Sequence, residues 1–162
     1  MLKTAHLATG LALALTCGAA NAQLAAHKDL TLPIALTMAE TAVQTCTAQG
    51  NKVSVHVVGR DGEVIVAMRG DGTGPHTMEN SMRKAYTSRF QRRPSGEFAK
   101  QAKDNPTVGA LHLANMIPAQ GALPIKVGDD VIGAIGVSGS PGGDKDEACA
   151  KAGIDKVADQ LK

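Results

Sequence analysis

The sequence predicts an α+β fold, a mostly antiparallel sheet flanked by helices, and three observations predict it. Val53–Arg69 and Ala122–Val137 each read as a β-hairpin, because apolar residues recur on both sides of a short Gly/Asp turn. Stretches of helical period stand before, between and after the two hairpins. Turns this short cannot join parallel neighbours, so the paired strands must run antiparallel.

The first helix starts near Thr31, which can cap it, tolerates Pro33 in its first turn and runs to Gly50, a natural residue just past a helix end. Leu32, Leu36, Ala39, Val43 and Cys46 recur at helical spacing and are expected to cover the sheet. Val53, Val55 and Val57 alternate with Ser54, His56 and Val58, and Arg60-Asp61-Gly62-Glu63 turns the chain into Val64–Arg69. After a Gly/Pro loop, Thr77 is placed to cap a second helix with Met78, Met82, Ala85 and Tyr86 on one side. A short helix near Ser95–Ala102, a turn at Pro106 and a short strand around Met116–Ala119 follow.

In the second hairpin Lys126 closes one strand, Gly128-Asp129-Asp130 turns, and Val131–Val137 returns. Gly133 and Gly136 leave the return strand without side chains at two points, so something must approach its backbone closely. Asp144 and Glu147 resemble a capping box for a last helix that turns Ala150, Ile154, Val157 and Leu161 inward.

The N-terminus reads as an export signal. Lys3 supplies positive charge, Leu7–Leu15 an apolar core, and Ala20-Asn21-Ala22 a small-residue cleavage site before Gln23. The apolar stretch is too short to span a bilayer, so no integral membrane segment is expected in the mature chain. Cys17 raises a lipoprotein alternative, but Thr16 stands where such signals want a smaller residue. Cleavage leaves residues 23–162 as one periplasmic or secreted domain.

Lys3 is the only charged residue removed, so the formal charge falls from +2 to +1, which gives no bulk reason to bind nucleic acid. Cys46 and Cys149 remain in an oxidising compartment and are expected to form a disulfide, the alternative being two separate buried thiols. No Cys/His spacing suggests zinc.

Four groups of residues carry a family resemblance: Leu123-Pro-Ile125 with Val131-Ile-Gly-Ala-Ile-Gly-Val-Ser-Gly139, Val53–Gly62, Gly74-Pro-His-Thr-Met78 and Lys84-Ala-Tyr-Thr87. They resemble the GlcG/HbpS family of small haem-binding proteins, which includes the C-terminal domain of PduO-type proteins. The likeness spans roughly Leu30 to the C-terminus and implies a profilin-like or PAS-like architecture and haem as cofactor.

His27, His56, His76 and His112 survive export. His76 is the best candidate for an iron ligand, because it lies in a Gly/Pro-framed loop at a helix start, with Met78 and Met82 offering soft apolar contact to a porphyrin. The alternative is a loop histidine making a turn hydrogen bond. His56 is expected on the sheet surface or as a satisfied inner histidine, and His112, in an apolar stretch, in the core. His27 is expected to be mobile before the first helix, the alternative being a ligand to a neighbouring subunit's haem.

Arg83, Lys84, Arg89, Arg92 and Arg93 cluster along the second helix and suit carboxylates, either haem propionates or a small organic acid. The alternative is a solvated helix face. Lys84 and Tyr86 gain weight from their place in the family-like motif. The turn from Gly139 to Asp144 could hold an anion on its backbone N–H groups, a plain connection being its alternative. No P-loop or nucleophile elbow is present, so the sequence gives no reaction. The resemblance implies an exported haem-binding homo-oligomer for haem storage, protection or sensing, the alternative being an iron-free binding module or enzyme for a small carboxylate.

Overall fold

The computed structural model describes residues 24–162, so the export signal expected over residues 1–22 lies outside the described residues. The elements follow as α1 (Leu32–Ala48), β1 (Ser54–Val58), β2 (Val64–Arg69), α2 (Thr77–Gln91), α3 (Ser95–Asp104), β3 (Ala122–Val127), β4 (Asp130–Ser138) and α4 (Gly143–Lys156). Short 3-10 turns occupy Gly109–His112 and Ala158–Gln160. The strands form one antiparallel sheet in the order β2-β1-β4-β3. The two predicted hairpins thus lie side by side, joined through β1 and β4.

These two inner strands are covered on both faces. Val55, Val57, Ile135 and Val137 enter the main core with Met38, Ala39, Cys46, Cys149 and Ala150 from α1 and α4. Ser54 and His56 point the other way, to hydroxyls of α2. The result is a layered α/β/α arrangement built on an antiparallel sheet. Cys46 and Cys149 are bonded to each other, with 5.7 Å between their Cα atoms, and tie α1 to α4.

The bare backbone of β4 is used as its glycines require. A Cβ on Gly133 would come within 2.5 Å of Leu30 and of Val58 O, and one on Gly136 within 2.3 Å of Ser81 O in α2. Only glycine lets these neighbours come so close.

Several expectations are corrected. The buried face of α1 is Ala35, Met38, Ala39, Ala42 and Cys46, whereas Leu32 and Leu36 are 59% and 39% exposed. The reason is close helix contact, since a Cβ on Gly153 of α4 would meet Met38 O at 2.5 Å, and a seam that tight takes alanine in place of leucine. Residues 116–119 form no strand. Their backbone is bound by α2 side chains: Ile117 N–H donates to Thr87 Oγ1 at 2.9 Å, and Arg83 Nη2 donates to Met116 O at 2.7 Å.

The predicted caps also differ. Thr31 makes no side-chain cap, and Thr77 sits inside the first turn of α2, where its hydroxyl donates to Gly74 O at 2.8 Å. Gly142 occupies the cap position of α4, so Asp144 falls in the first turn and no capping box closes. The inward side of α4 is as read for Ala150 and Val157, although the helix stops at Lys156.

Candidate functional site

Helix α2 carries the candidate residues, and the side it turns to the sheet is polar. Thr77, Ser81, Lys84, Ala85, Thr87 and Ser88 are its buried positions. Small residues are needed there because Gly136 brings the helix backbone against β4, and their hydroxyls must then find partners. Thr77 Oγ1 lies 2.8 Å from Ser54 Oγ, and Ser81 Oγ lies 2.8 Å from His56 Nδ1. Ser81 also donates to Met78 O at 3.1 Å, which leaves its oxygen to accept the proton of Nδ1. His56 is thus the satisfied inner histidine, and burial lowers its pKa below the ordinary 6.5.

Lys84 is also buried. Its Nζ donates to Asp146 Oδ2 at 2.9 Å and to Val137 O at 3.1 Å, while Asp146 Oδ1 accepts Ser140 N–H at 3.0 Å. This ion pair clamps α2 to the start of α4, and it also takes up one N–H of the Gly139–Asp144 turn.

The outer side of α2 is different. Met78, Met82 and Tyr86 are half-buried and Phe90 is 51% exposed. Spaced four residues apart, they form one apolar row along the helix. His76 precedes the helix, exposed, with its ring against Gly74. Among the described residues no hydrogen bond or ion pair holds that ring. His76, the N-cap residue, stands two positions before Met78 and six before Met82 at the entrance of the helix.

The remaining histidines stand apart from this side. His112 is exposed in the 3-10 turn, not in the core, and Met116 fills the nearby buried position. His27 pairs with Asp29 at 3.2 Å on the surface.

The five basic residues do not make one patch. Arg83 is held by Glu79 and Met116 O, and Arg93 by Gln91, Gln101 and Glu97. Arg89 and Arg92 instead line a cavity of about 250 Å³ with Arg60, Gly62, Tyr86 and Phe90. Sequence reasoning missed Arg60, Gly62 and Phe90, having read the first two only as turn residues. The four-residue row ending at Phe90 was the available signal for the third. A larger groove of about 610 Å³ runs between β3 and α4 over Leu123, Pro124 and Ile154.

Among the described residues no group of three or more His, Cys, Asp or Glu side chains could hold a bare metal ion. None of the described helices is long and apolar enough to cross a membrane.

The structure is similar to that of HbpS, at 36% identity over 85% of this chain and 96% of that one, with a TM-score of 0.79. A double mutant of Streptomyces reticuli HbpS matches at 34% identity over 88% and 97% of the two chains, also with a TM-score of 0.79. A PduOC:haem complex shares the fold at 20% identity, covering 78% of this chain and 94% of that one, with a TM-score of 0.72. Comparison with curated proteins gives no match. The family model described as "Haem degrading protein HbpS-like" matches residues 30–155. With that match spanning β1 through α4 and all of α2, the chain belongs to the HbpS-like family.

Proposed function

We propose that this chain is an exported haem-binding protein that stores, protects or senses haem, with His76 as the ligand to iron. The observation that carries the reading is the family match over residues 30–155, with haem present in the structure of a protein of the same fold. The residues fit the group. His76 offers an exposed imidazole with no partner among the described residues, and one axial histidine suffices for haem iron. The row of Met78, Met82 and Tyr86 offers an apolar platform to a macrocycle face, and Arg83 a cation to a propionate. Lys84, whose ammonium is held by Asp146, anchors the helix beneath that platform. Bound there, haem would supply a redox-active iron.

The reading includes a homo-oligomer, as the family resemblance and the Gly-rich, mostly apolar strands suggest.

Titrating hemin into the mature protein tests this by the Soret band, which should sharpen, shift and saturate at a fixed ratio. His76→Ala should move the band and weaken binding at least about tenfold, or about 1.4 kcal/mol. His27→Ala and His112→Ala should leave it unchanged. Loss of the signal in either of these with His76→Ala intact reassigns the ligand, and no spectral change with the unaltered protein removes the haem reading.

A further inference from the structure

The cavity between the β1–β2 turn and the end of α2 holds a guanidinium that the protein leaves unsatisfied. Arg60 is held there by two carboxylates: its guanidinium donates to Asp130 at 2.7 and 3.0 Å, to Asp29 at 3.2 Å and to Lys28 O. Arg89 is not so held: its Nε is buried without a hydrogen-bond partner. Arg92 stands beside it at the helix end in a left-handed conformation, φ 56°, where glycine would be the easier residue.

Burial, and then the nearby charges of Arg92 and Arg60, make Arg89 harder to keep protonated. These two outweigh the opposing carboxylates of Asp130 and Asp61. Arg60, Arg92 and the carboxylate of Asp61 line the same cavity as Arg89. The other wall is aromatic. Gly62, at φ +82°, lies so near Tyr86 that a Cβ would come within 2.7 Å of the ring, and Phe90 stands one helical turn further on.

We propose that this cavity binds the carboxylate group of a planar apolar acid, with the carboxylate on Arg89 and Arg92 and the planar part along Tyr86 and Phe90. A carboxylate can satisfy a guanidinium through paired N–H donors, and an aromatic wall favours a flat neighbour. At about 250 Å³ the cavity is below the roughly 300–1,000 Å³ of a whole drug-sized ligand site, so it takes a small acid or one carboxylate arm of a larger molecule. The acid can be free, or the carboxylate can be a porphyrin propionate. The site itself does not depend on iron.

Tyr86 is the only tyrosine of the chain and tryptophan is absent, so intrinsic fluorescence reports on this cavity directly. Titration with benzoate should change it saturably, while benzyl alcohol should not. Arg89→Gln and the solvent-facing Arg92→Gln should each weaken benzoate at least about tenfold. A parallel titration compares hemin with its dimethyl ester. Weakening of hemin but not of the ester by these substitutions assigns a propionate to the cavity, and weakening of benzoate alone assigns a free acid. Benzoate binding by a protein that shows no hemin response would uphold the cavity while removing the haem reading. No saturable benzoate response, together with hemin binding indifferent to both substitutions, overturns the proposal.

Discussion

His56 illustrates how one residue couples fold stability to pH. Burial lowers its pKa below 6.5, so below that pH the unfolded chain takes up a proton that the folded chain resists. The contribution of His56 to stability is therefore level above about pH 6.5 and falls as the pH drops below that value. Urea unfolding of the protein and of His56→Gln at about pH 5 and about pH 8 checks this, since the substitution should flatten the difference. Equal pH dependence in the two proteins would refute it. Lys84 makes the complementary case. Replacing it with Met strands the buried carboxylate of Asp146 and should cost about 3–5 kcal/mol, with Asp146→Asn in the same chain recovering part of the loss. The sequence marked Lys84 as a cation near a ligand, and nothing local in it could show that Asp146, 62 positions away, lies 2.9 Å from its nitrogen.

At the scale of elements, the contact of α2 with β4 depends on Gly136. Gly136→Val places a side chain against Ser81 O and the backbone N of Ala85 and should destabilise by about 3 kcal/mol. Gly109→Ala, at a site where a Cβ meets nothing within 4 Å, serves as the neutral control in the same thermal melts. The need for a close neighbour at Gly136 was legible in the sequence, but the identity of that neighbour was not. For α1 the helical period was legible too, whereas the face was misplaced, because Leu32 and Leu36 fit the apolar repeat as well as the alanines do. The disulfide joins the same two layers. It closes a loop of about 100 residues and so removes on the order of 4–5 kcal/mol of unfolded-chain entropy. Thiol titration of the denatured, unreduced mature protein should find neither Cys46 nor Cys149 free.

Among the described residues, β2 and β3 are the sheet edges and Leu32 and Leu36 are exposed on α1. Unpaired edges and solvent-facing leucines are surfaces that assembly covers, and closed symmetric oligomers are the common solution. Light scattering of the mature protein should give a mass that is a multiple of one chain, and a monomeric mass at working concentration would refute the homo-oligomer. Mass spectrometry of exported protein should place its N-terminus at Gln23.

By itself the sequence determined the two hairpins, the helices around them and the α+β class, because alternation, helical period and turn residues are local signals. It also determined family membership, through motifs that lie in β1, α2 and the β3–β4 hairpin. Only the tertiary structure decided which face of each helix is buried, since that depends on how closely α1 approaches Gly153 and α2 approaches Gly136. It alone divided the basic cluster into a clamp at Lys84 and a cavity at Arg89. A side chain's surroundings are set by the neighbours that folding brings to it, and Arg60, Asp61 and Gly62 in the cavity of Arg89 come from a turn nearly 30 residues earlier in the chain.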